Sequence, residues 1–233
     1  MAKTNDDIRR EMLNNFLPVD PNQSVELLDQ LDELLMRYES AIREVRTKLE
    51  ILNDELSLSS GYQNPIKSIA SRRKKTISIF EKLRRQGDEL SLESIQKNLN
   101  DVAGIRVICS FIDDIYKVAH MLTRQDDVKL IQVKDYIKNP KPNGYRSYHM
   151  IIEVPVFFSN EKAYMRVEVQ IRTVAMDYWA SLEHTMKYKQ DIENAEEIMR
   201  ELKECADTIA ATDLKMMEIR EKIPTHKAYE PKL

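Results

Sequence analysis

The sequence predicts an α+β fold: a mixed sheet flanked by helices, with a long helix at each end of the chain. Three observations predict it. Apolar residues recur in steps of three and four over residues 24–58 and again over 191–222, the period of an amphipathic helix. Between them, residues 102–173 switch to short apolar runs and to strict alternation, the period of strands. Glycine occurs only 4 times in 233 residues, about 2% against a usual ~7%, so most of the chain is expected to be regular structure.

Residues 1–21 read as a short polar helix and a loop closed by Pro18 and Pro21. Ser24 is expected to cap the first long helix, with Glu26 in its first turn. Leu28, Leu31, Leu35, Tyr38, Ile42, Val45, Leu49, Leu52 and Leu56 form its stripe. Such a stripe suits a coiled-coil seam or a helix laid along a domain, and Leu27, Leu34 and Ile51 widen it toward the second. The run SLSSGYQNP at 57–65 is a break. Residues 66–86 are expected to form a second helix ended by Gly87, and 91–99 a third capped by Ser91. Strands are expected at 102–111, 128–133, 149–158 (broken near Pro155) and 163–173. Helices fill 113–125 and 175–189, and 134–148, with two prolines and a glycine, is a loop. Pro224 stops the last helix, and the tail 224–233 has no pattern.

Composition excludes several classes of function. With 36 basic against 39 acidic side chains the net charge is −3, unlike a general nucleic-acid binder. No apolar run approaches the ~20 residues that span a bilayer, and the first residues lack the apolar core of a signal peptide. Cys109 and Cys205 form neither a disulfide framework nor a metal spacing. A cytoplasmic protein is expected.

Four features carry possible chemistry. Along 165–172, Met165, Val167, Val169 and Ile171 alternate with Arg166, Glu168, Gln170 and Arg172. The polar face is either a solvated sheet surface or a site that offers cation, carboxylate and amide together. Asp101, at the mouth of the strand VAGIRVICSF, is either a terminator or a partner for Glu168 in holding Mg²⁺, which takes one or two carboxylates and leaves other positions to water and phosphate. Gly104 and Arg106 follow on the same face. The expected helix 66–86 sets eight cations (Lys67, Arg72, Arg73, Lys74, Lys75, Lys82, Arg84, Arg85) against Glu81 alone, and a triphosphate, RNA or an acidic protein would offset them. The loop KNPKPNGYRSYH offers Lys141, Arg146, the Tyr145 ring and His149, groups suited to phosphates and to base stacking. No P-loop, GxGxxG, GxSxG or HExxH motif is present. A nucleotide would therefore be held by side chains and a metal.

The strings DVAGIRVIC, DDIY, KDYIKNPKPNGYRSYH, VEVQIRT and AMDYWASLEH, in that order, resemble the synthetase domain of the RelA/SpoT homologues, from about Arg72 to Lys189. The layout is similar to that of the single-domain small alarmone synthetases, nearer the RelP branch than the RelQ branch. The resemblance implies a nucleotidyltransferase-like synthetase sheet and a reaction that moves the β,γ-pyrophosphate of ATP onto the 3′-hydroxyl of GDP or GTP, releasing AMP. It implies synthesis only, since no hydrolase domain has room here. It also implies roles. Asp101 and Glu168 would ligate Mg²⁺, and Glu168 would receive the hydroxyl proton with Gln170 orienting that hydroxyl. Arg72 and Arg106 would sandwich adenine, and Lys74 and Arg85 would hold the ATP phosphates. Tyr145 would stack on guanine, Lys141 and His149 would reach its 5′-phosphates with a share from Lys134, and Asp177 stands near the guanine pocket.

The resemblance divides the chain into an N-terminal helical segment (1–65, for oligomerisation or packing), a catalytic domain (66–190), a C-terminal helix (191–223) and a flexible tail. It implies a bacterial cytoplasmic homo-oligomer, a tetramer formed through the long helices, with no stable nucleic-acid partner. The rival readings are a related nucleotidyltransferase with another acceptor and a non-enzymatic RNA- or ribosome-binding helical module.

Overall fold

The computed structural model describes residues 21–59, 64–187 and 194–223. Expectations for 1–20, for 60–63 within the break at 57–65, for 188–193 and for 224–233 lie outside the described residues, and residues 57–59 of that expected break are helical instead. The first helix, α1 (Pro21–Ser59), begins three residues before the expected cap, with Pro21 at its start, where a missing N–H costs nothing. All nine stripe residues are buried. All but Leu56 join one core with the apolar face of the sheet, which decides the stripe's use: α1 lies along its own domain. Leu34 is buried with them, whereas Ile51 points to solvent. Leu49 is fully buried, so Leu49→Ala is expected to cost about 2–5 kcal/mol. Urea unfolding checks this; a loss below about 0.5 kcal/mol, the scale of a surface change, would mean that α1 does not pack on the sheet.

The expected helix 66–86 is wrong over its first half. Ile66–Arg73 is a strand, β1, and only Thr76–Gln86 is helical, as α2. The local pattern IKSIASRR is neutral between the two states. What settles it is pairing with β2 (Ala103–Cys109), antiparallel from Ile66↔Cys109 to Arg73↔Ala103. Gly87, at φ 76°, ends α2 as expected. Helix α3 (Leu92–Asn98) starts on Ser91, whose hydroxyl accepts from the Ser94 amide. After β2 come α4 (Ile112–Thr123), β3 (Lys129–Asp135), β4 (Tyr148–Phe157), β5 (Lys162–Thr173), α5 (Val174–Lys187) and α6 (Ala195–Glu221).

The sheet therefore has five strands rather than four, in the order β1-β2-β5-β4-β3. Strands β2 and β5 run parallel and every other pair is antiparallel, the mixed sheet expected. Pro155 does not break β4; it pairs with Tyr164. Strand β3 begins opposite Glu153, so that flank of β4 is an open edge at Pro155, where a missing N–H is tolerated. Helices α1 to α4 all bury apolar residues against the same sheet face. Trp179, Ala180, Leu202 and Ala206 form a second, small core between α5 and α6. Among the described residues no helix is long and apolar enough to cross a membrane.

Candidate active site

With one sheet face committed to the core, the even residues of β5 are left on the other. Two rows of partners cross the strands there. Arg72 faces Gly104, and Gly104 faces Glu168. One step along, Ala70, Arg106, Gln170, His149 and Lys134 run in register from β1 to β3. A cleft of about 540 Å³ opens over the first strands, lined by Arg72, Asp101, Gly104, Arg106, Glu168, Gln170 and, from α5, His184. That volume is within the ~300–1,000 Å³ typical of small-molecule sites. A Cβ on Gly104 would already touch the Arg72 carbonyl at 3.4 Å, so the missing side chain keeps the cleft floor low between arginine and carboxylate.

Asp101 precedes β2, and its carboxylate is held from two sides. Lys74 Nζ donates to Oδ2 at 2.7 Å, and Lys82 Nζ sits 2.8 Å from Oδ1. Burial works against ionisation, but the hydrogen bonds and charges of the two lysines outweigh it and hold the carboxyl below the usual range. Oδ1 is buried and has no well-aligned hydrogen bond despite that lysine; it keeps a lone pair for a cation. Glu168 behaves similarly. Burial raises its pKa, while hydrogen bonds from His149 and Gln170 bring it below the usual carboxylate value.

The loop between β3 and β4 folds an aromatic cage beside this cleft. Tyr136, Tyr145 and His149 meet edge to face, with centroids 5.2–6.0 Å apart. Lys141 Nζ lies over both tyrosine rings at 4.8 and 4.7 Å. Both ring nitrogens of His149 are engaged: Nε2 is 2.8 Å from the Tyr145 hydroxyl, and Nδ1 is 3.4 Å from Glu168. A phosphate bound by His149 would replace one of these contacts. Asp177, on the first turn of α5, bridges Arg172 (3.0 Å) and Arg106 (3.5 Å).

Most of the expected site residues thus converge: Arg72, Asp101, Arg106, Glu168 and Gln170 on the cleft, Lys74 on Asp101, and Lys141, Tyr145 and His149 in the cage, with Asp177 between Arg106 and Arg172. Lys134 is exposed at the far end of the His149 row. Arg85 is exposed on α2 and does not line the cleft. The single basic helix dissolves. Arg72 faces the cleft, Arg73 reaches back 3.7 Å to Glu39 of α1, and Lys74 and Lys82 neutralise Asp101. The sequence assigns no individual role to Tyr136, Lys82, His184 or the buried Arg172; Arg172 is signalled only by the alternating strand and Lys82 only by the run of cations.

The C-terminal helix packs against the cage loop. Trp179 Nε1 donates to the Leu202 carbonyl, and Arg146 donates to the Ala206 carbonyl and to Asp207. Gly144, at φ 87°, lies where a Cβ would come within 2.6 Å of Ala206 Cβ. A side chain there pays twice: about 1–2 kcal/mol for left-handed backbone, and about 1–3 kcal/mol for overpacking. Gly144→Ala is therefore expected to lose both in urea unfolding, with Ala206→Gly on the same chain restoring only the steric share. Full restoration would mean that backbone conformation contributes nothing.

Comparison with known proteins fits this geometry. Residues 71–193 match the family described as "Region found in RelA / SpoT proteins". The chain is 44% identical to the GTP pyrophosphokinase YwaC of Bacillus subtilis (strain 168) over 195 residues, 84% of this chain and 92% of that protein. The crystal structure of small alarmone synthetase 2 from Bacillus subtilis superposes with a TM-score of 0.74 at 42% identity, covering 83% of this chain and 99% of that one. Small alarmone synthetase 1 from the same organism, solved bound to its product pppGpp, gives the same TM-score at 34% identity, covering 83% and 98%.

Proposed function

The chain belongs to the RelA/SpoT family, and from that premise we propose that the polar face of its sheet makes ppGpp and pppGpp, moving the β,γ-pyrophosphate of ATP to the 3′-hydroxyl of GDP or GTP and releasing AMP. Relatives that match along most of their own length include a GTP pyrophosphokinase and small alarmone synthetases. One observation carries the reading: Glu168 stands between the arginine-lined cleft and the Tyr136–Tyr145–His149 cage, on a single face. ATP lies on the cleft side, its adenine between Arg72 and Arg106 and its phosphates toward Lys74. The guanine acceptor lies on the cage side, its base on Tyr145 and its 5′-phosphates toward Lys141, His149 and Lys134. Glu168 accepts the 3′-hydroxyl proton, and Gln170 orients that hydroxyl.

Asp101 and Glu168 are suited to hold Mg²⁺. Both line the cleft, Asp101 Oδ1 faces only the Lys82 ammonium, and among the described residues no group of three or more metal-ligating side chains exists. Two carboxylates fit a hard cation that draws its other ligands from phosphate and water. When bound, the ion supplies charge neutralisation at the transferring phosphates. Lys74 and Lys82 keep Asp101 ionised and ready for it, and turn to ATP phosphate as a second anion.

The enzyme acts as a homo-oligomer in the bacterial cytoplasm. The faces available for assembly are those the core leaves open, such as Met36 and Ile51 on α1 and Leu214, Met216 and Ile219 on α6. A monomer mass by light scattering overturns the oligomer.

The decisive experiment incubates the protein with ATP, Mg²⁺ and GDP, GTP or GMP and resolves products by anion exchange. AMP is expected in step with a more anionic guanine nucleotide, and EDTA is expected to stop both. ATP left untouched with every acceptor overturns the reading. An RNA-binding helical module loses its main support here, because the cations it would use are spread over a strand, a turn and a helix and are partly neutralised within the chain.

A further inference from the structure

Arg172 is almost fully buried and is named in none of the roles above, yet four of its N–H directions are used. Nη1 donates to Asp177 at 3.0 Å, Nη2 to the Tyr145 hydroxyl at 2.6 Å and to Gln170 Oε1 at 3.2 Å, and Nε to Ser147 Oγ at 3.4 Å. We propose that Arg172 is a positioning residue that orients both oxygens of the Glu168 carboxylate through two arms, one by Gln170 and one by Tyr145 and His149, joining the acceptor-binding ring and the catalytic carboxylate into one unit.

The argument rests on which groups can only donate and which can only accept. A guanidinium has no acceptor, and an ionised carboxylate has no donor. In the first arm, Gln170 lies between the two. Its Oε1 faces Arg172, so its Nε2 faces Glu168 and donates to Oε2 at 2.8 Å. The amide has one orientation. In the second arm, the Tyr145 oxygen accepts from Arg172 and its own proton goes to the neighbouring acceptor, His149 Nε2 at 2.8 Å. That leaves the ring hydrogen on Nδ1, the nitrogen 3.4 Å from Glu168 Oε1. The arms close a ring of five side chains, in which Arg172, which only donates, and the Glu168 carboxylate, which only accepts, together fix the direction of every donor.

Two further features support a device rather than a packed charge. Asp177 balances the guanidinium and also reaches Arg106, so the same hub is tied to the adenine side. Arg172 Cζ also lies 5.1 Å over the Tyr145 ring, so a base arriving on that ring meets the anchored group. Acceptor binding and the aim of the base are then one event.

The inference rests on Glu168 being the base, and the experiment separates the two claims. Tyr145→Phe keeps the ring and cuts the second arm. It is expected to lower kcat about tenfold while moving the acceptor KM less than about threefold, the pattern of an interaction made in the transition state. Arg172→Lys, a single donor on a flexible stem, is expected to lower kcat similarly without rescue. Independently of turnover, ¹⁵N NMR of the neutral His149 ring, assigned by loss of its signal in His149→Asn, is expected to show hydrogen on Nδ1 in the natural protein and a mixture in Tyr145→Phe. Hydrogen on Nε2, or an unchanged kcat in Tyr145→Phe, overturns the proposal. A Glu168→Gln protein that still turns over would instead overturn the base, whatever the His149 tautomer.

Discussion

Glu168→Gln is expected to lower kcat by about a thousandfold or more, at the upper part of the 10²–10⁴ range of general-base catalysis, while ATP binding changes only a few-fold. The substitution is isosteric, and Glu168 sits in the middle strand of the sheet, flanked by Gly104 and Ile151, so the fold has no reason to change. What changes is chemistry. The carboxylate now accepts from Gln170 and has His149 Nδ1 3.4 Å away; an amide in its place presents an N–H to one of those groups and has no charge with which to take a proton or bind a cation. Thermal melting, equilibrium ATP binding and single-turnover kinetics together read this. Turnover within tenfold of the natural enzyme would remove Glu168 from both assigned roles.

Asp101→Asn is expected to have the second largest effect, lowering kcat/KM about 10²-fold or more through loss of charge stabilisation at the transferring group and raising the Mg²⁺ concentration required. Asp101 is the only anion paired with Lys74 and Lys82 among the described contacts. An asparagine leaves two ammonium groups facing a neutral amide, and removes one of the two carboxylates suited to the cation. The backbone nearby is held separately, by the Lys74 amide on the Val102 carbonyl, so the strand end stays in place. Mg²⁺ titration of the rate separates the two losses. A variant with the natural Mg²⁺ dependence would leave Glu168 as the sole protein ligand and Asp101 as an anchor for lysines.

Much of this site was legible in one segment. The alternation over 165–172 identified which side chains share a face, because side-chain direction along a strand is fixed by backbone geometry and needs no partner. Ser91 as a cap and Gly87 as a helix end were equally local. The stretch 66–75 carries no local sign of a strand, because its run of cations has no period to oppose a helix and its pairing partners lie far along the chain, in β2. Arg85 looked like part of one basic face only while that face existed.

By itself, the sequence determined the fold class, the family, the apolar stripes of the long helices and the polar strand face that holds Glu168 and Gln170. The tertiary structure alone decided that α1 spends its stripe on its own core, that β1 completes the sheet beside Gly104, and that Arg172 is buried at the centre of a ring. The physical reason is the range of the forces involved. Periodicity and capping are settled within a turn or a pleat, whereas strand pairing and the satisfaction of buried donors depend on which distant segments the register brings together. Tyr145, His149, Glu168, Gln170 and Arg172 become one hydrogen-bonded unit only once β4 and β5 are paired.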